Sequence, residues 1–180
     1  TPVAESDTGF DIVVRRYAGG YFSDKFAQLK VGEAMAFKGP EPTLPYAPNA
    51  FDTVAFVCGG TGAAPAVQLL RAALADKEDT TRFRVLYLSR TKRDQTLKRD
   101  LDALKCDRLD LFYACDDVDG LVDANLLRRC LPAPSDTKSA VLVSGPPGLV
   151  RRLCGTTDKR EPLGGLLREM GYGAQVARLD

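Results

Sequence analysis

Residues 53–65, TVAFVCGGTGAAP, decide the fold. Five apolar or β-branched residues run without a charge into a glycine-rich turn, and Pro65 stands where the first turn of a helix would begin. An apolar run this short reads as a strand covered on both faces, with a helix from Pro65 to about Ala75 as part of the cover. The eighteen uncharged residues from Thr53 to Leu70 reach the nominal length of a membrane span. Gly59, Gly60, Gly62 and Pro65 interrupt that tract, however, and Gln68 and Arg71 close it, so a buried strand, a loop and a helix are predicted.

The same alternation repeats downstream. RVLYL (84–88), DLFYA (110–114) and AVLVS (140–144) are further short apolar runs, and a last strand is expected near 174–179. Helices are predicted over about 94–104, 123–130, from about Gly148, and over 162–170. The expectation is an α/β fold, a doubly wound five-stranded parallel sheet.

Upstream the pattern differs. FDIVVRRY (10–17) puts Phe10, Ile12 and Val14 on one side of an extended chain, and GEAMAFKGP (32–40) reads as another strand stopped by Gly-Pro. Between them GGYFSDKFAQL is a glycine turn followed by a short amphipathic helix. EPTLPYAPNAF (41–51) carries Pro42, Pro45 and Pro48 and no periodicity, which suits a connector. Two domains are therefore expected, residues 1–45 and 46–180.

Composition narrows the chemistry. The 180 residues contain no histidine, which excludes Ser-His-Asp and Cys-His nucleophile activation, HExxH zinc sites and any imidazole acid-base step from this chain. With 25 Lys+Arg against 24 Asp+Glu, no whole-chain field points to nucleic acid or an anionic membrane. The five cysteines are scattered and lack a CxxC spacing, so neither a disulfide framework nor a metal site is indicated, and an intracellular, reducing compartment fits them. The chain starts at Thr1 rather than Met, so a targeting segment or an upstream domain is expected to have preceded it.

In open α/β sheets the ligand sits beyond the carboxyl ends of the strands, so the strand-end loops carry the functional reading. In CGGTGAAP (58–65), Gly59, Gly60 and Gly62 allow positive φ and close backbone approach, and free N–H groups there suit a pyrophosphate. SGPPGLV (144–150) follows another strand, with Gly145 for the turn and Pro146-Pro147 stiffening it. After RVLYL come Ser89 and Arg90, a hydroxyl and a guanidinium where a ribose or its 2′-phosphate would lie; a solvated basic loop is the competing reading. Asp116 and Asp117 end the next strand; nothing nearby desolvates them, so an exposed loop is favoured over an acid-base dyad, with contact between Asp116 and ribose or adenine left open.

Taken together, these motifs resemble the ferredoxin-NADP reductase superfamily, in particular its NADH-cytochrome-b5 reductase branch. TPVAESDTGF resembles the segment just after the Arg-x-Tyr flavin motif, DIVVRRY the following strand, GGYFS the second flavin motif, CGGTGAAP the GGTGxxP loop and SGPP the CGPP motif. The resemblance implies a flavin-binding β-barrel, of which the first segment here is the remnant strands and helix, followed by a pyridine-nucleotide domain. It further implies FAD, NADH or NADPH, hydride transfer from nicotinamide to flavin, and a haem protein such as cytochrome b5, possibly fused upstream, as electron acceptor. Most of the barrel would lie before Thr1. The chain alone is accordingly expected to be colourless and inactive, in a cytoplasmic setting or membrane-associated through upstream sequence.

By the same resemblance Thr1 would end the flavin motif, and Val13, Arg15 and Tyr17 would line the flavin. Gly20, Tyr21, Phe22 and Ser23 would surround its pyrophosphate; read without the resemblance, Ser23 is a helix N-cap. Gly59, Gly60, Thr61 and Gly62 would hold the nucleotide, with Thr61 at the nicotinamide. Gly145, Pro146 and Pro147 would meet the nicotinamide end, and Ser89, Arg90 and Asp116 the adenosine ribose. Arg90 argues for NADPH and Asp116 for NADH. Ser144 stands where the family carries cysteine on the hydride path, and the less polarisable oxygen is expected to slow transfer without abolishing it. The loop CGTTDKREPLGG (154–165) has no role under this resemblance. The alternative is a nucleotide-binding or scaffold module that has lost its flavin domain.

Overall fold

The computed structural model describes residues 2–6, 8–37 and 46–179. Strands β1 (Pro2–Ser6) and β2 (Gly9–Ile12) form a small antiparallel sheet, followed by helix α1 (Tyr21–Gln28). The rest alternates: β3 (Thr53–Gly59), a 3-10 turn (Gly60–Ala63), α2 (Ala64–Ala75), β4 (Arg82–Ser89), α3 (Lys98–Asp102), β5 (Leu109–Cys115) and α4 (Asp116–Asp119). Then come α5 (Ala124–Cys130), β6 (Ser139–Ser144), α6 (Pro147–Cys154), α7 (Gly165–Glu169) and β7 (Val176–Leu179). The second sheet is parallel throughout, in the order β5-β4-β3-β6-β7. This is the doubly wound five-stranded sheet that the alternation predicts.

Alternate residues of each central strand face opposite layers, which is why the strands are apolar throughout rather than amphipathic. Val54, Phe56, Phe83, Val85, Tyr87 and Leu142 pack with Val67 and Leu70 of α2 and with Leu97 and Leu101. Ala55, Val57, Leu86, Val141 and Val143 pack on the other side with Leu127, Leu153, Leu167 and Tyr172. Each fully buried side chain of this size contributes roughly 1.5–3 kcal/mol by leaving water. The carbonyls at the end of α2 lack helical partners, and the Arg108 guanidinium supplies them, donating to Ala73 O at 3.0 Å and Leu74 O at 3.3 Å.

Several predicted elements are shorter. The strand expected over 10–17 has its ladder only to Ile12, and Tyr17 turns into a tight loop whose backbone is bound by Ser23. Residues 33–37 of the expected second strand have no ladder partner among the described residues; Lys30 and Glu33 close a turn before them, and 38–40 lie outside the described set, as do 41–45 of the connector. The helix expected over 94–104 is only Lys98–Asp102, because Asp94 accepts from both the Thr91 N–H and its hydroxyl and ends a short 3-10 turn there. The helix expected over 162–170 is Gly165–Glu169. Cys106 is exposed in the turn before β5, whereas the other four cysteines are buried. No helix of the described residues is long and apolar enough to cross a membrane.

The chain enters the parallel sheet through a polar clamp. Asp79, 2% exposed, accepts from the Tyr46 hydroxyl at 2.6 Å and from the Thr81 and Asn49 N–H groups. Burial works against the Asp79 charge, but these hydrogen bonds outweigh it and hold its carboxyl below the usual range; burial and the bond to Asp79 push the Tyr46 phenol up to about 12. Replacing Asp79 with alanine strands three donors and is expected to cost roughly 1–3 kcal/mol in a urea titration. Because the folded value is depressed, this contribution is fully present above the unfolded carboxylate value and fades as pH falls through the folded one. The gap between wild type and Asp79→Ala should therefore be flat near neutrality and shrink only below about pH 4.

Candidate functional site

From β3 the chain winds to β4 and β5 on one side of the sheet, then returns to β6 and β7 on the other. The crevice where winding reverses lies between the carboxyl ends of β3 and β6, which is where open sheets receive ligands. Both predicted glycine loops leave the sheet here. Cys58 and Ser144 are level in the ladder, and Ser144 is level with Leu179 on its other side.

The two loops touch backbone to backbone. A Cβ on Gly62 would lie 2.6 Å from both Cα and N of Gly145, and one on Gly145 would lie 3.0 Å from the Gly59 N. Gly60 has φ +56° and Gly145 φ +149°, conformations that side chains disfavour. Gly59 instead has an extended backbone, and a Cβ there would strike Leu149 at 2.8 Å. The glycines at 59 and 62 thus let the loops close on one another and on α6. The buried Tyr87 hydroxyl donates to Gly60 O at 3.0 Å and supports the turn from the sheet.

A cleft of about 340 Å³ opens at this point, lined by Val13, Thr61, Gly62, Ser144, Gly145 and Pro147, together with Ala64, Pro65, Val150, Thr157 and Leu179. Six of the residues singled out in the sequence are therefore gathered, and Val13 comes from the first segment of the chain. Cys58 lies behind the cleft as a buried small hydrophobe, its thiol pushed up to about 12 by burial, so it supplies no thiolate. Thr157 and Leu179 were not anticipated. Leu179 was in principle legible as the residue opposite Ser144 once the register is known, whereas Thr157 sits in a loop with no periodic signal.

The other expected residues lie around this cleft. Ser89 is buried, its hydroxyl against Ala114 O at 3.5 Å and Cys115 Sγ at 3.3 Å, which directs it into the sheet edge. Arg90 is exposed, and its carbonyl accepts the Asp117 N–H at 3.1 Å, so the ends of β4 and β5 are tied together. Asp116 is exposed as expected, though it opens the short α4 rather than a loop. Asp94 is held below the carboxylate range first by hydrogen bonds from Thr91, with the Arg90 and Arg15 cations adding to this.

In the first segment, Arg15 and Tyr17 are exposed, the guanidinium 5.7 Å from the ring centroid, and a Cβ on Gly60 would come within 4.0 Å of Arg15 Nη1. Ser23 is not the helix cap. Gly20 holds that position, and the Ser23 hydroxyl accepts from the Tyr17 N–H at 3.1 Å and lies 3.2 Å from the Tyr17 and Gly20 carbonyls. A Cβ on Gly20 would lie 2.6 Å from the Ser23 Oγ, so this pair of residues closes the turn. Tyr21 and Phe22 are 72% exposed at the open start of α1, beside N–H groups with no helical acceptor. Thr1 lies outside the described residues.

Residues 56–155 match the family described as oxidoreductase NAD-binding domain, and residues 1–46 match the oxidoreductase FAD-binding domain. An NADH-cytochrome b5 reductase 2 of Meyerozyma guilliermondii is 36% identical over 188 residues, covering 96% of this chain and 63% of that protein. Another from Botryotinia fuckeliana is 34% identical, covering 97% and 55%. The chain thus spans between 55% and 63% of the length of these curated relatives. Among solved structures, the cytochrome b5 reductase domain of Ulva prolifera nitrate reductase superposes with a TM-score of 0.76 at 25% identity, over 89% of this chain and 66% of that one. The CS-b5R domains of human Ncb5or share the fold, with a TM-score of 0.67 at 20% identity over 100% of this chain and 55% of that one. The chain belongs to the oxidoreductase NAD-binding domain family, joined to FAD-binding oxidoreductase sequence, and its relatives are NADH-cytochrome b5 reductases.

Proposed function

We propose that this chain is the nucleotide-binding part, with the end of the flavin-binding part, of an NADH-dependent flavoprotein reductase that delivers electrons to a haem protein of the cytochrome b5 kind. The observation that carries this is the cleft at the sheet's reversal point, built from two interlocked glycine loops and walled by Val13 from the flavin-side segment. NADH held in the cleft would supply a hydride, and FAD held by the flavin-side residues would provide the acceptor that can pass electrons on singly. That chemistry calls for positioning rather than for an imidazole acid or base, in keeping with a chain that has no histidine.

The residues fit both groups. Thr61, Gly62, Ser144 and Gly145 hold the nicotinamide end, where the hydroxyls and the N–H groups of the turn orient it and Val13 excludes water from one wall. Gly59, Gly60, Pro146 and Pro147 shape the loops behind it. The ends of β4 and β5 lie along the same sheet edge, about 5 and 10 Å from β3 at the usual strand spacing, and receive the adenosine end through Arg90 and Asp116. Because the Ser89 hydroxyl is engaged at the sheet edge, its role is to set the loop rather than to bind ribose.

Arg15, Tyr17, Gly20, Tyr21, Phe22 and the Ser23-closed turn form the flavin side. The open N-terminus of α1 suits a pyrophosphate, and the exposed aromatic rings suit a flat ring system. Phe10, Tyr17, Tyr21, Phe22 and Phe37 are each more than half exposed, and we assign their covering to the FAD and to further flavin-domain structure. The division between the two parts falls at about residue 45, just before the Tyr46 clamp.

Calorimetric titration tests the nucleotide site directly. NADH is expected to bind this chain saturably, and Gly62→Ala, whose methyl must displace the Gly145 backbone, is expected to weaken it at least ten-fold, or about 1.4 kcal/mol. Absence of NADH binding to the unaltered chain would overturn the proposal. Nucleotide choice is set at Asp116, whose carboxylate repels a 2′-phosphate. Asp116→Asn should raise NADPH affinity about ten-fold while changing NADH affinity little; equal changes for the two nucleotides would show that Asp116 does not face that ribose.

A further inference from the structure

The loop between α6 and α7 is left without a task by the nucleotide reading. Its ends meet at a neck of glycines. Gly155 has φ +77°, a Cβ on it would lie 3.0 Å from the Gly164 Cα, and a Cβ on Gly165 would lie 2.7 Å from both Arg152 O and Gly155 N. The Gly164 N–H donates to Cys154 O at 2.8 Å and shuts the neck. A compact surface loop with joined ends and internal contacts is a form often used at functional sites.

Two sets of bonds stiffen it. Asp158 takes both Nε and Nη2 of Arg160, at 3.0 and 2.6 Å, and the Asp158 N–H donates to the Thr156 hydroxyl at 3.1 Å. From β7, Arg178 Nη2 donates to the carbonyls of Lys159 at 3.2 Å and Glu161 at 2.6 Å. The adjacent Arg178 Nη1 is buried and has no hydrogen-bond partner among the described residues. Burying an unpaired guanidinium donor is costly, so strong attachment of the other nitrogen to the loop must offset it.

What this device holds is Thr157. Thr157 lines the cleft together with Ser144, Val150 and Leu179, it is exposed, and among the described residues it has no hydrogen-bond partner. A rigid loop that brings one exposed hydroxyl to a cleft wall shared with Ser144 and the apolar Val150 and Leu179 is suited to a polar contact with a bound ring substituent.

We propose that Thr157 contacts the nicotinamide end of the dinucleotide, its hydroxyl meeting the carboxamide, and that Arg178 is the positioning residue that keeps the 156–163 loop in place for this. The inference rests on the nucleotide reading of the cleft. Its test is calorimetric titration of the 180-residue chain with NADH and, separately, with ADP-ribose, which has the same adenosine, pyrophosphate and second ribose but no nicotinamide. Thr157→Ala is expected to weaken NADH about five-fold, the loss of one hydrogen bond, and to leave ADP-ribose binding unchanged. Thr157→Ser should restore NADH binding, and Arg178→Met should reproduce the selective loss.

Equal loss of both ligands in Thr157→Ala, or no loss of either, overturns the assignment of Thr157. An Arg178→Met chain that binds NADH as tightly as the unaltered one overturns the positioning role. If the unaltered chain binds neither ligand, the nucleotide reading itself fails and takes this inference with it. Binding of ADP-ribose with no Thr157 effect on NADH removes only the further inference.

Discussion

The contact between Gly62 and Gly145 is the constraint on which the rest of the site depends. Two loops leave neighbouring parallel strands at the same level and meet with no side chain between them. Were either residue larger, the β3 turn would have to lift from the sheet or the β6 loop would have to swing outward. In both cases Thr61 and Ser144 would separate and the cleft between them would lose its floor. Gly60, with its positive φ, and Tyr87, which binds the Gly60 carbonyl, hold the turn in the shape that allows this closeness. Most of the glycine pattern is therefore explained by protein meeting protein, and the opening for a ligand is what remains once the loops have locked.

How much of this was legible in the residues follows from which forces act locally. The central strands could be read because burial on both faces demands uninterrupted apolar runs, and the turn after Val57 because glycine followed by proline has few alternatives. The short α3 could not, since its loss depends on whether Asp94 folds back to Thr91 or faces solvent, a choice that periodicity does not encode. Ser23 likewise has the composition of a cap but lies three residues inside the helix, because Gly20 takes the first position and the hydroxyl reaches the previous turn. Thr157 is the deepest case. The loop that carries it is fixed in part by Arg178, seventeen to nineteen residues away from the carbonyls it binds, and such long-range contacts leave no local pattern.

The first segment is attached to the sheet at separate points. Val3 is buried in the same core layer as α2 and β3, and Val13 packs against that layer at its edge. Tyr46 joins the connector to the far end of the sheet through Asp79 and through its ring, 6.2 Å from that of Phe83. Arg15 adds a cation near both Gly60 and Asp94, so the charge environment of the nucleotide loops includes a residue from outside the sheet. Such fastening holds Val13 at the cleft wall with little freedom to drift.

The distribution of thiols gives the molecule a chemical polarity. Cys58, Cys115, Cys130 and Cys154 are buried, and burial raises the thiols of Cys58, Cys130 and Cys154, which leaves them poor nucleophiles. Cys106 alone is exposed, in the turn that enters β5, and therefore at the edge of the parallel sheet opposite the cleft. A maleimide dye, a spin label or a gold surface would thus attach at one place and in one orientation, with the ligand-facing edge turned toward solution.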